Sequence, residues 1–474
     1  MHPQTPTHHH HDTAEPQDPR RWRALTVLAT AQFMLILDIT VVTVALPDIG
    51  RDLELGRAAT TWVITAYTLL FGGLMVFGGR SADLFGARRV AMTGLVAFTG
   101  SSLLAGLAVN APMLLSGRVG QGVGAALLSP AAMAIVTITF HGAERNKALG
   151  VWGALGGTGA AVGVLVGGLL TAGPGWSWIF FVNVPVGLVL LAAMTRVVPD
   201  RPGQRGRSID VLGAVLVTAA VGAAIYGLIN AGDDGWADSL TVVPLLAAVV
   251  LGATFVIYER NAVAPLLDPR LLVRRPIAAG AVLMLVATGL LITGFFLGSF
   301  YLQQAQGNSA LVTGLLFVPI ALGTIIGAHN AGSLIGKYGY RPVGVVALTI
   351  TAAGAAVPAL WDGTAAVIIG LTVAAAGQGA TFVTATTTAL ANVAHDQAGV
   401  TSGLVNTFHE VGAALGVAVL STVAAVSLRT SGADLSGFTN AFTLSAIIAA
   451  VVAAAALAFI PAGKPPVGIR VGAH

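Results

Sequence analysis

GGRSADLFGARR (Gly78–Arg89) is a short charged hinge between two long apolar runs, and the chain beside it carries no charge from Ala58 to Gly79 or from Val90 to Gly117. A helix that spans a bilayer needs about 20 mostly apolar residues, so the hinge reads as a turn at a membrane surface. Gly86 permits the reversal because it has no Cβ to clash in left-handed backbone conformations. The pattern extends outward over the whole chain. Only 9% of the 474 residues are Asp, Glu, Lys or Arg, and they cluster between fourteen apolar runs that begin near Ala24, Thr60, Val90, Met113, Lys147, Trp178, Ile209, Thr241, Ile277, Leu311, Val343, Thr364, Ala398 and Asn440. A soluble domain cannot hide that much apolar surface. The expectation is an all-α integral membrane protein with fourteen transmembrane helices.

Membrane proteins collect Lys and Arg in their cytoplasmic loops. If the N-terminus is cytoplasmic, the clusters around Arg21, Arg88, Arg145, Arg201, Arg274, Lys337 and Lys464 all fall on one side, and the other side keeps only Arg51, Arg57 and Arg429. Both termini are then cytoplasmic and the helix count is even. The sequence pI near 9.7 therefore reflects topology and contact with anionic lipid headgroups, and no nucleic-acid partner is expected. There is no cysteine, which excludes disulfides and thiolate chemistry. Residues 1–19, with His8–His11 and scattered Pro, read as a disordered cytoplasmic tail, and 462–474 as a second tail. Abundant Ala and Gly, with Arg far above Lys, fit a GC-rich bacterial genome and the bacterial inner membrane.

The hinge also has an echo. Gly79, Asp83, Gly86 and Arg88 return at the same spacing as Gly332, Gly336, Gly339 and Arg341 in GSLIGKYGYR, and Gly120-Gln121-Gly122 returns as Gly377-Gln378-Gly379. Two echoes in order at similar separation indicate a duplicated six-helix unit, with an N-terminal bundle at 20–197 and a C-terminal bundle at 276–461. Residues 198–275 then hold two inserted helices with flanking cytoplasmic loops. Duplicated bundles are the plan of rocking secondary transporters. Further motifs sharpen this. LDITVVTVALP (Leu37–Pro47), GGRSADLFGARR, SGRVGQGVGAALLSP (Ser116–Pro130), WSWIFFVNVPVG (Trp176–Gly187) and YLQQ (Tyr301–Gln304) together resemble the major facilitator superfamily, specifically its fourteen-helix drug:proton antiporter branch, over nearly the whole chain.

The resemblance extends to the fifth run, where Gly150, Gly159, Gly163, Gly167 and Gly168 are similar to that branch's antiporter glycine spacing. Gly159, Gly163 and Gly167 recur every four residues and form one smooth stripe that admits a close helix neighbour, which packing alone would also explain. Val164 stands where the branch usually has proline, so the usual kink is not assured. Asp83 is implied to latch a cytoplasmic gate together with Gly79, Gly86 and Arg88. Gly336 replaces that acid in the second copy, so any latch is one-sided.

Three ionisable side chains lie deep in apolar sequence. Asp38 sits roughly 21 Å above the cytoplasmic face at 1.5 Å per residue, and Arg118 roughly 8 Å below the outer face, so the two reach similar depth. A buried ion costs several kcal/mol unless paired or hydrated, and Asp38 and Arg118 are expected to face one cavity and interact. Glu410, in NTFHEVGAALG beside His409, is the second candidate for proton coupling, with Asn406 one turn away on its face. Gln121, Gln303, His329, Asn406 and His409 are candidate cavity-lining residues, for which simple interhelical hydrogen bonds are the alternative.

These features point to proton-coupled efflux of amphipathic organic compounds such as drugs, dyes or antibiotics by alternating access. A proton entering down 100 mV supplies about 2.3 kcal/mol, so one or two carboxylates suffice. Export of one specific metabolite, lipid or siderophore is the alternative, and a transport-inactive receptor or scaffold is the alternative of another class. The sequence has no GxxxxGK[ST] loop for an ATP-driven pump, no catalytic constellation, and no metal or cofactor motif. The proton is the expected coupling ion, and a monomer in lipid the expected form.

Overall fold

The computed structural model describes residues 21–140, 142–200, 202–203, 210–262, 265, 273–391, 398–430 and 433–463. Fourteen long helices follow one another in these residues. The first half contains α1 Arg21–Asp52, α2 Arg57–Phe85, α3 Ala87–Gly106, α4 Ala111–Thr139, α5 Gly142–Ala172 and α6 Trp178–Val197. The insertion is α7 Val211–Asp234 and α8 Ser239–Asn261. The second half contains α9 Arg275–Phe300, α10 Ala310–Tyr338, α11 Tyr340–Leu360, α12 Thr364–Leu390, α13 Ala398–Val423 and α14 Ser436–Phe459. A π-helical turn, Tyr301–Ala305, ends α9, and a short helix, Ala425–Arg429, follows α13.

Over their described residues, twelve of the fourteen are long and apolar enough to cross a membrane. The two others are α3, which opens on Arg88 and Arg89, and α5, whose described apolar part is Ala161–Ala172. Both pack along their length against bundle helices, α3 on α4 and α5 on α1 and α10.

Local chemistry sets the helix ends. The Asn110 side chain accepts from the Met113 amide at 3.0 Å to start α4, and Asp238 and Ser309 do the same for α8 and α10, each satisfying an amide the helix cannot reach. Gly86, at φ 94°, turns α2 into α3, and Gly339, at φ 92°, turns α10 into α11. The echoed motif is therefore one turn built twice.

The helix neighbours repeat as well. In the first half α1 packs on α5, and α4 on α2 and α3; in the second, α9 packs on α13, and α12 on α10 and α11. The Gly-Gln-Gly motif explains how. A Cβ on Gly120 would strike Ser101 of α3 and one on Gly122 the Tyr67 carbonyl of α2, just as Gly377 meets α11 at Thr351 and Gly379 meets α10 at Thr324. Small residues bring these backbones together where lipid provides no hydrophobic drive.

The bundles meet through α2 with α13 and α5 with α10. Named cross-bundle contacts lie toward the face opposite the chain ends: Gly168 against Ala310, Gly314 against Val164, Thr61 against Ser421 at 3.5 Å, and Gln303 on the Val44 carbonyl at 2.8 Å. Arg21 and Glu144, which pair at 3.0 Å, mark the face of the chain ends, as do Arg275 and Arg341 on carbonyls at the end of α14.

Candidate functional site

Asp38 and Arg118 meet in the N-terminal bundle, their side chains each 1% exposed. Arg118 Nη1 donates to Asp38 Oδ2 at 2.5 Å and to Gln121 Oε1 at 2.8 Å, and Nε donates to the Val63 carbonyl of α2 at 2.7 Å. Gln121 Nε2 donates to Asp38 Oδ1 at 3.0 Å and Asn183 Nδ2, from α6, donates to the same oxygen at 3.1 Å. Ser102 of α3 accepts from Gln121 at 2.9 Å. The guanidinium also lies 4.4 Å above the Tyr67 ring, a favourable cation–π position. Five helices thus enclose one carboxylate and one guanidinium and satisfy them with short polar contacts. The expected pairing is present, but the pair is buried within the bundle instead of facing a cavity.

Glu410 lies on the other side of α2. It is buried against Gly72, where an added Cβ would come within 2.6 Å of its own Cβ, and its Oε2 has no hydrogen-bond partner among the described residues. Tyr67 of α2 lies within electrostatic range of both Glu410 and Asp38. His409, half-buried, meets Thr288 Oγ1 of α9 at 3.1 Å and the Phe382 ring at 5.6 Å. Asn406 and His329 are exposed.

The glycine stripe of α5 faces α1. Added Cβ atoms on Gly159, Gly163 and Gly167 would strike Ile36, Thr40 and Val41, whereas one on Gly168 would lie 2.8 Å from the Ala310 carbonyl in the other bundle. The surroundings of Gly150 lie outside the described residues. With Val164 in place of proline, α5 is one helical segment from Gly142 to Ala172. At the hinge, Asp83 is exposed, Arg88 donates to the Thr195 carbonyl of α6 at 2.8 Å, and Gly79 lies 3.7 Å from Pro130 measured from an added Cβ.

A cavity of about 360 Å³ lies between α1 and α5, lined by Trp22, Leu25, Thr26, Thr30, Phe33 and Leu155 among others. Thr26, Thr30, Phe33 and Leu37 recur at three- and four-residue steps, with Val44 two turns further on, and so share a face of α1. Near Val44 that face meets α9; at Thr26 and Thr30 it is uncovered.

The sequence profile of the Major Facilitator Superfamily matches residues 28–417 and 293–472. The chain belongs to the Major Facilitator Superfamily. Its superfamily relatives include the puromycin resistance protein pur8 of Streptomyces alboniger, 39% identical over 86% of this chain and 82% of that one. The cephamycin export protein CmcT of Amycolatopsis lactamdurans is 35% identical over 91% and 90%, and the lincomycin resistance protein of Streptomyces lincolnensis 36% over 92% and 91%. Among solved structures, a POT family transporter in complex with 5-aminolevulinic acid matches with TM-score 0.67 at 13% identity, over 93% of this chain and 96% of that chain. A bacterial homolog of the human lysosomal transporter Spinster, inward-facing and unoccupied, matches with TM-score 0.60 at 19% identity, over 93% and 97%. At those identities the structural likeness establishes the fold alone.

Within this superfamily fold, the site also holds residues that sequence reasoning passed over. Asn183, Ser102 and Tyr67 complete the shell around Asp38 and Arg118. Asn183 carried a readable signal as the lone amide of WSWIFFVNVPVG; Ser102 and Tyr67 carried none. Gln121, expected to line a cavity, is fully buried and hydrogen-bonded to Asp38 and Ser102. Gln303 ties α9 to α1 through the Val44 carbonyl, the interhelical bond given as its alternative role.

Proposed function

We propose that this chain is a secondary active transporter of the bacterial inner membrane that exports amphipathic organic compounds in exchange for protons. The observation that carries the reading is the enclosed Asp38–Arg118 pair. Taking two charges out of water costs several kcal/mol per ion, and a scaffold gains nothing from that expense in a membrane bundle. Protonating Asp38 removes one charge, weakens its hold on Arg118, Gln121 and Asn183, and changes how α1, α4 and α6 are tied. Glu410, buried at the α2–α13 seam with one oxygen unpartnered among the described residues, is the second proton-accepting group in this scheme. Resistance and export relatives favour small organic cargo, and the apolar groove with Trp22 and Phe33 suits it. The basic face with both chain ends is cytoplasmic on the positive-inside rule. In this orientation the uncovered groove opens toward the cytoplasm.

Proteoliposomes with an internal pH dye test this directly. Under an inward proton gradient, cationic dyes and antibiotics, puromycin included, should drive compound-dependent proton movement in wild type and none in Asp38→Asn. Coupling that persists in Asp38→Asn and disappears in Glu410→Gln moves the essential proton to α13. Response to a single compound class selects the narrow-exporter alternative. Transport that follows sodium at fixed pH, with no proton flux, would falsify proton coupling.

A further inference from the structure

The inserted pair α7–α8 belongs to neither six-helix bundle, and α7 is the member packed on both, against α2 and α13. Leu69 of α2, Ile225 and Ile229 of α7, and Ala414 and Ala418 of α13 form one apolar cluster. The inserted helix therefore lies along the seam where the two bundles touch. At the face opposite the chain ends its ties become polar. Arg57, at the start of α2, has a side chain only 2% exposed; its Nε donates to Asp233 Oδ1 at 2.8 Å and its Nη2 to the Ile229 carbonyl. On the other side, Thr422 of α13 donates to the Leu228 carbonyl at 2.5 Å, and Arg429 to the Asp233 carbonyl at 3.2 Å. The last turns of α7 thus hold both bundles beside the Thr61–Ser421 contact at 3.5 Å.

These two sets of ties are unequal. Toward α2 there is a buried ion pair, and toward α13 there are hydrogen bonds to neutral carbonyls, one of them from the exposed Arg429. A hydrogen bond between two ionised groups is the stronger kind. When one bundle rocks against the other, α7 can follow only one of them. We propose that α7 is a latch: it rides with the N-terminal bundle on the Arg57–Asp233 pair and holds the α2–α13 seam closed by gripping α13 through Thr422 and the short helix after it through Arg429. The latch depends on neither the cargo nor the coupling ion, so it stands or falls apart from the export reading.

Because the chain has no cysteine, Thr61→Cys with Ser421→Cys makes seam closure readable as cross-link yield in native membranes. Arg57→Gln and Asp233→Asn should each move the closed-to-open ratio about tenfold toward open, the range one charge-assisted hydrogen bond carries, and Arg57→Lys should move it less. Unchanged yield in both overturns the latch. Should either variant fail to reach the membrane, a disulfide staple decides. A Cβ on Gly73 would lie 3.2 Å from Thr218 Cβ, near disulfide reach, whereas one on Gly232 would strike the Arg57 guanidinium and disturb the pair itself. Oxidised Gly73→Cys/Thr218→Cys, which joins α7 to α2, should leave amide exchange in the first turns of α2 unchanged, because α7 already moves with that helix. Exchange slowed about tenfold, a loss of opening read as protection, would show that α7 rides with the C-terminal bundle and overturns the proposal.

Discussion

Asp38 and Arg118 are each tolerable in the bundle only because the other is there. Removing one partner of a buried pair leaves an uncompensated charge and costs about 3–5 kcal/mol. Asp38→Ala should therefore lower the thermal unfolding temperature in detergent far more than Asn183→Leu, which removes one of several donors to the same carboxylate and costs about 1–2 kcal/mol. Equal shifts in the two variants would mean that Asp38 is not the group that neutralises Arg118. At the basic face, the Arg21 hydrogen bond holds the Glu144 carboxyl below its ordinary value of 4.5. A depressed carboxyl stabilises the fold fully above that ordinary value, and its contribution is lost as pH falls through the lower folded-state value. The stability gap between wild type and Glu144→Gln should stay constant above pH 4.5 and close below it; a gap that grows on acidification contradicts the pairing. The apolar run of α5 begins beyond this residue, after Lys147, so the titration takes place in water.

At the scale of elements, the glycines of α5 separate two jobs that sequence spacing cannot. Gly163→Val would drive a side chain into Thr40 of α1, inside one bundle, and overpacking of that kind costs about 1–3 kcal/mol, read as lost stability. Gly168→Val would strike the Ala310 carbonyl across the bundles. Its effect should be a shift toward opening of that face with little change in unfolding temperature, measured by labelling of a cysteine placed at Leu311. Gly86→Ala places a Cβ at φ 94° and should cost about 1–2 kcal/mol through left-handed strain. The apolar runs were legible because a span has a minimum length and few charges, and their predicted starts fall within a few residues of the helices. α3 was legible only as a run, since the two arginines at its start weaken its hydropathy and packing on α4 holds it in place.

For the molecule as a whole, the duplicated bundles make closure at one face a matter of a few close backbone contacts. A disulfide between Gly168→Cys and Leu311→Cys, whose Cα lies 3.1 Å from an added Cβ on Gly168, should hold α5 to α10. It should abolish turnover reversibly, with full recovery on reduction. Continued transport under oxidising conditions would show that this contact need not open.

Charge sparsity, helix number, the two-fold repeat and the pairing of Asp38 with Arg118 were all determined by the sequence alone, because each follows from hydropathy, spacing or the cost of an unpaired ion in lipid. Tertiary structure alone decided that the pair is enclosed instead of open to a cavity, that Asn183, Ser102 and Tyr67 complete its shell, that the α5 stripe faces α1 while Gly168 faces α10, and that α7 lies on the α2–α13 seam. The physical reason is common to all four. Helical periodicity says which residues share a face, but in lipid, where apolar side chains are equally at home on every face, only packing against particular neighbours chooses where that face points.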